Sequence, residues 1–313
     1  MGGVAEEGDG FVLLDKSVSF PQLIPSKVSL FAKGVHPPSG AKRYNAQLER
    51  IMEAEESASV FVVGYGASRR TERPEGYSER NRKLRYQRVA GLFEDHVGLV
   101  PTTYAAFQLH KRGRFEEARH LLNALLPSSV QLTGATDSSD DPLFDVAGVF
   151  LPLDALSDGF RTFLGWVWDL LLQLARVAPE GTPLADITGV VIVDEIDLFL
   201  HPKWQRAVVE QVATTFTKLQ FLFSTHSPLV AGSLEPANIF TMDTDDDGAA
   251  VVKQYTEGIR GLSADQILSS SYFGLDTPRA PEMERRLKEL SEKADAGDYH
   301  AAQEYLALLR QGV

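Results

Sequence analysis

The chain has 313 residues, 43% hydrophobic and 24% charged, enough to bury one full core and a smaller satellite. Its formal net charge of -12 argues against a protein that coats nucleic acid non-specifically, because neutralising phosphates needs a basic surface. The lack of cysteine excludes disulfides, thiolate zinc sites and cysteine nucleophiles, and the chain has neither a long apolar run nor a basic-then-apolar start, so the expected compartment is the cytoplasm.

Residues 1–58 carry short apolar pieces at 11–14 and 28–31 between prolines and glycines, and read as irregular strands and loops. Residues 59–66 (SVFVVGYG) read as a buried strand ending in a glycine turn, and the pattern is helical from about 80 to 126. From the end of that strand into the helical pattern runs the densest basic stretch, Arg69, Arg70, Arg73, Arg80, Arg82, Lys83, Arg85 and Arg88, interrupted by Glu72, Glu75 and Glu79. Mixed charge of this kind reads as a solvated helical arm in preference to a nucleic-acid contact. The polar stretch 133–142 (TGATDSSDDP) reads as a loop.

From residue 150 the spacing becomes regular. It gives a loop, a long helix, a loop with Pro179, Gly181 and Pro183, a strand, a helix and another strand, which implies a parallel α/β sheet. The tail reads as a helical hairpin, with Met283, Leu287, Leu290 and Ala294 on one face, a break at Gly297-Asp298, then Tyr299, Ala302, Leu306 and Leu309. The expected division is a remnant of an N-terminal lobe (1–79), a helical subdomain (80–149), a catalytic lobe (150–261) and a helical tail (262–313).

The strongest chemical signal is Gly189-Val190-Val191-Ile192-Val193-Asp194-Glu195, four β-branched residues running into two carboxylates. Such a strand is expected to be buried on both faces, so its acids emerge at the C-terminal edge, where α/β sheets bind ligands. In a nucleotide hydrolase Asp194 would hold Mg²⁺ and Glu195 would polarise the attacking water. The plainer alternative is a strand followed by acids at a helix N-terminus. The next strand, 219–223, leads into Ser224-Thr225-His226-Ser227-Pro228 and places His226 at the same edge, where an imidazole within hydrogen-bond reach can sense a γ-phosphate.

VVIVDEIDLFLHPKWQ followed by FLFSTHSPL resembles the Walker B, D-loop region and switch histidine of ABC-type ATPases related to chromosome-maintenance and recombination proteins. Upstream, Leu156-Ser157-Asp158-Gly159-Phe160-Arg161 resembles the ABC signature, with Phe160 where transporters have Gln or Glu. A serine capping a helix with a glycine close behind leaves a hydroxyl and free N–H groups that favour phosphate, although capping alone explains Ser157 equally well. The resemblance implies a P-loop NTPase core with a mostly parallel sheet, ATP and Mg²⁺ as cofactors, and Ser157 with Gly159 gripping ATP held by a second ATPase subunit. It extends to bacterial defence-associated ATPases of the Septu type through 63–69, 91–94 and 267–282, which implies a nuclease partner and DNA; the lack of a long apolar run implies no membrane.

A phosphate cradle needs G-x-x-x-x-G-K-[ST], and the nearest candidate, 34–42 (GVHPPSGAK), has the wrong spacing and two prolines where donors are needed, so it reads as a turn. The chain therefore looks truncated, split or degenerate. In the resembling fold the Walker A strand lies beside the strand carrying 221–223, whose edge must otherwise be covered by a segment such as 11–14, covered by another chain, or left exposed. Two decoys remain. Asp243-Thr244-Asp245-Asp246-Asp247-Gly248 begins like a calcium loop but has Gln254 at its twelfth position, so a hairpin turn is expected. His36, His96, His110, His120 and His300 show no metal-ligand spacing.

Overall fold

The computed structural model describes residues 10–14, 61–72, 77, 88–138, 141–245, 249–277 and 279–310. The expectations for 28–31 and 34–42, and for Arg73, Arg80, Arg82, Lys83 and Arg85, lie outside the described residues.

Six strands form the large sheet: β1 (Gly10–Leu14), β2 (Val62–Tyr65), β6 (Gly189–Val193), β7 (Leu219–Thr225), β8 (Ile239–Thr244) and β9 (Ala250–Lys253), in the order β2-β6-β7-β1-β8-β9. A second, antiparallel sheet contains β3 (Val130–Thr136), β4 (Pro142–Val146) and β5 (Val149–Pro152). Strands β2, β6 and β7 pair in parallel, while β1 is antiparallel to β7 and to β8, and β9 is antiparallel to β8. Four of the six strands therefore point the same way, with β1 and β9 reversed.

The place beside β7 is filled from within the chain. Residues Phe11, Val12, Leu13 and Leu14 stand opposite Thr225, Ser224, Phe223 and Leu222. Of the ways to cover this edge, the local N-terminal segment is the one adopted, and its backbone groups satisfy a ladder that would otherwise be an open template for pairing.

Alternation along β7 buries Leu219, Phe221, Phe223 and Thr225 and leaves Gln220, Leu222 and Ser224 half-buried. In β6 the same face buries Val191 and Val193, while Val190 and Ile192 keep partial exposure. The expectation of full burial on both faces thus holds for one face only. Against the buried face lies α3 (Asp158–Val177), whose burial continues nearly all round from Phe163 to Val177. Its Trp166 packs on Tyr65 of β2 with ring centroids 5.6 Å apart, and Phe163 meets Trp204 at 4.5 Å. Two shorter helices, α1 (Thr102–Lys111) and α2 (Phe115–Leu125), complete this core through Leu109, Phe115, Leu122 and Leu125.

Three local expectations need correcting. The stretch 133–142 is not all loop: β3 runs to Thr136 and β4 starts at Pro142, because Val130 and Leu132 alternate inward and the Thr133 hydroxyl donates to the Leu143 carbonyl at 2.8 Å. Arg69 and Arg88, read as parts of a solvated arm, are 7% and 4% exposed. The reason for Arg88 is specific, since its guanidinium lies 5.6 Å from the Phe61 ring centroid and donates to Gln173.

In the tail, α8 (Pro281–Asp295) buries Leu287 and Leu290, and α9 (Tyr299–Arg310) follows after Gly297 (φ 94°), as expected. The stripe Tyr299, Leu306 and Leu309, however, faces outward, with Tyr299 75% exposed, and α9 buries Ala301 instead. Helical spacing marks an apolar stripe but does not choose its neighbour. The β8–β9 hairpin closes the acidic loop, with Asp245 N–H donating to Ala249 at 2.9 Å, as the hairpin reading requires. No helix among the described residues is long and apolar enough to cross a membrane.

Candidate functional site: an acid pair clamped at the sheet rim

The register levels three strand ends. Tyr65 pairs with Val193, and Val193 with Phe223, so the residues that follow β6 meet the last two residues of β7. Asp194 N–H donates to the Tyr65 carbonyl at 2.8 Å, which ties the first acid to β2. On the other side the Ser224 hydroxyl donates to the Asp194 carboxylate and accepts the Glu195 N–H at 2.8 Å, while Ile196 N–H donates to the Ser224 carbonyl at 3.0 Å. One serine therefore holds the Asp194 carboxylate and the Glu195 main chain together.

Glu195 has φ 48°, in the left-handed region that an L-residue enters at a cost of about 1–2 kcal/mol. Its main chain is held on both sides, since the carbonyl accepts the Arg69 Nη2–H at 2.6 Å and the N–H goes to Ser224. Burial lowers the Arg69 guanidinium from its usual value to about 10, and the fields of Asp194, Glu195 and Asp197 act in the opposite direction. Gly66 makes room for this arrangement: a Cβ there would sit 2.2 Å from the Gly91 carbonyl oxygen.

A second layer repeats the pattern one step further. The Thr225 hydroxyl donates to Asp197 and accepts the Ser227 N–H at 3.0 Å. Gln205 donates to the Leu200 carbonyl at 3.0 Å and accepts from the Ser227 hydroxyl at 2.8 Å, joining the loop after β6 to the loop after β7. Between the buried Thr225 and Ser227, His226 is exposed, and its ring makes no hydrogen bond among the described residues. Asp194, Glu195 and His226 thus share one rim.

Ser157 and Gly159 sit elsewhere on the same surface. Ser157 occupies the N-cap of α3 with extended backbone (φ -62°, ψ 157°), but its hydroxyl makes no capping bond, and it is exposed. Gly159 has an internal reason to be glycine, because a Cβ would lie 2.3 Å from the Phe199 carbonyl oxygen. That contact joins the start of α3 to the loop following the acid pair, where Phe199 itself has φ 61° and is 64% exposed. A groove of about 630 Å³ opens there, lined by Ser157, Gly159, Phe160, Phe199, Lys203 and Trp204. No hydrogen bond joins Ser157 or Gly159 to Asp194, Glu195 or His226 among the described residues.

Behind the rim, Asp169 of α3 is buried. Its carboxylate accepts the Tyr65 hydroxyl at 3.0 Å and the Val100 N–H at 3.4 Å. Burial pushes its pKa above the usual carboxylate range, against those hydrogen bonds and the field of Arg88. Sequence reading missed Arg69, Asp169, Ser224, Thr225 and Gln205 as rim supports. Only Ser224 and Thr225 carried a signal, as hydroxyls at the end of an apolar run.

The donor set at the rim would suit a hard cation: the Asp194 carboxylate and the Ser224 hydroxyl lie side by side and could serve as oxygen ligands of the type Mg²⁺ takes beside phosphate and water. The parallel β2-β6-β7 unit with helices against it, an acid pair at the C-terminal end of β6 and a polar turn ending β7 fit the P-loop NTPase fold.

Sequence comparison finds related ATPase domains. Residues 77–232 match the family described as "AAA domain, putative AbiEii toxin, Type IV TA system". The Septu protein PtuA of Bacillus mycoides is 25% identical over 248 residues, which are 79% of this chain and 34% of that protein. The "Retron Ec83 probable ATPase" of Escherichia coli is 30% identical over 149 residues, 48% of this chain and 27% of that protein. The chain thus spans about a third or less of the length of these two relatives. A solved structure from work on ATP-driven dimerization and DNA-stimulated activation of SMC ATPases aligns with a TM-score of 0.36 and 15% identity, over 49% of this chain and 91% of that one.

Proposed function

We propose that the chain is the acid-pair and signature portion of an ATP hydrolase that drives conformational change in a DNA-linked, phage-defence assembly. Asp194 holds Mg²⁺, Glu195 orients and activates the attacking water, and His226 senses the γ-phosphate. Ser157 and the N–H groups around Gly159 grip ATP bound by a second subunit. Bound Mg²⁺ would neutralise charge on the phosphate oxygens; the chain's own part is to hold the acids and exclude alternative geometries. The phosphate loop has to come from outside these 313 residues, since the sequence contains no G-x-x-x-x-G-K-[ST]. Partners on this reading are the second ATPase subunit, a nuclease and DNA.

The observation that carries this reading is the single Ser224 hydroxyl shared by Asp194 and the Glu195 N–H, which orders two acids at one rim with His226. Glu195→Gln is expected to lower the hydrolysis rate by about 100-fold or more when the chain is combined with the source of its phosphate loop, because the general base is lost. Equal rates for the two proteins would end the proposal.

A second reading is favoured by the exposed Ser157 hydroxyl that caps nothing, and by β1 filling the place beside β7. On it, the chain is a non-catalytic half that lends its signature helix to a complete partner. Equilibrium binding separates the two, since tight Mg²⁺-ATP binding by the isolated chain contradicts this alternative.

A further inference from the structure

Arg69 is a buried cation beside three carboxylates that forms no ion pair among the described residues. Its hydrogen bond goes instead to a backbone carbonyl, that of Glu195, at 2.6 Å, and its Nε is buried without a partner. Burying a guanidinium is costly, and a carbonyl is a weaker partner than a carboxylate, so packing alone gives no reason to place an arginine there. The residue it touches has the left-handed backbone of φ 48°, which persists only where its surroundings over-determine it. Ser224 holds the other groups around that residue, its hydroxyl accepting the Glu195 N–H and its carbonyl the Ile196 N–H. Arg69 lines one wedge with Gly66 and Gly91, which approach backbone to backbone.

We propose that Arg69 is a positioning residue for Glu195: it pins the Glu195 carbonyl, keeps the residue in its left-handed conformation and so sets where the carboxylate leaves the main chain. The inference rests on the hydrolase reading for its functional consequence but not for the clamp itself. The three acids account for the choice of arginine, because their fields hold the guanidinium charged while leaving its donors for the carbonyl. Lysine has the charge but lacks the flat fork that reaches a carbonyl from a fixed wedge.

Two measurements on the full chain test this. The first is amide hydrogen exchange of Arg69→Met without nucleotide. Exchange at the Glu195 and Ile196 amides is expected to rise about tenfold or more while Val191 and Val193 in β6 stay protected, as for a local opening. No change at Glu195, or an equal rise throughout β6 and β7, would overturn the clamp. The second is steady-state hydrolysis with the phosphate-loop source present. Arg69→Met is expected to lower kcat about 30-fold with KM within twofold, with partial recovery by Arg69→Lys or by added guanidinium. An unchanged kcat would overturn the positioning role. A wild-type chain that hydrolyses nothing in that setting counts against the hydrolase reading, and the exchange result then decides the clamp alone.

Discussion

On one side of β7, strands β6 and β2 run parallel to it and end together at the acid rim; on the other, β1 runs antiparallel between β7 and β8, and the sheet finishes in the β8–β9 hairpin. The parallel half needs long crossovers, and its strands are apolar runs whose ends stand level because their registers agree. Its chemistry sits just beyond those ends. The antiparallel half is assembled from a local hairpin and from a segment about two hundred residues away in the chain, and it leaves Met242 and Val252 exposed on its outer strands. The lesson is that one sheet contains a rigid half that presents polar groups and an outer half that mainly closes an edge.

The comparison is broken most severely by emptying the parallel half. Phe223→Ala removes a ring that is buried between Phe221 and the core, at ring-centroid distance 5.4 Å from Phe221, and is expected to cost about 3–5 kcal/mol in urea unfolding. A loss below 1 kcal/mol would mean that the half is not packed as described.

Val12→Pro addresses the outer half. Because β1 pairs on both sides, each N–H faces a neighbour, and removing one is expected to cost about 2–3 kcal/mol and to expose the β7 edge. Wild-type stability and solubility in this variant would show that β1 does not seal the sheet. Ser224→Ala then tests the junction, where it strands the Glu195 N–H and an Asp194 oxygen. A loss of about 1–3 kcal/mol is expected, together with weaker Mg²⁺-ATP binding in titration calorimetry.

The buried carboxyl behind the rim gives a subtler test. Burial raises the Asp169 pKa in the folded chain, so the stability it contributes is complete below the unfolded value of about 4 and is lost as pH rises through the raised folded value. Asp169→Asn keeps an acceptor for Tyr65 and carries no charge. Thermal unfolding from about pH 4 to 8 should therefore show wild type losing stability relative to the variant as pH rises, and parallel curves would contradict this. The smallest effect belongs to the exposed pair on the outer strands: Val252→Thr should stay within about 0.5 kcal/mol.

Much of the site was legible because its signals are local. Four β-branched residues before two acids give a strand and an edge, and the run 219–223 followed by Ser-Thr-His repeats the arrangement one strand over. The hairpin at 243–249 and the break at Gly297 were legible for the same reason, since each depends on a few neighbouring residues. Arg69 was not. In sequence it sits in a charged stretch, and only the folded chain brings it inside, 126 residues from the carbonyl it holds. The tail stripe fails in the opposite sense: Tyr299, Leu306 and Leu309 have correct helical spacing, yet spacing carries no information about what packs against it.

The amino-acid order by itself determined the strand types, the placement of Asp194, Glu195 and His226 at strand ends, and the start of α3 at Ser157, because backbone propensity and apolar period act over a few residues. Tertiary structure alone decided that residues 11–14 lie beside β7, that Ser224 serves both acids, and that Glu195 takes a left-handed backbone under Arg69. Those outcomes depend on which unpaired groups meet across the folded chain, and hydrogen-bond satisfaction in a buried rim is settled by neighbours in space.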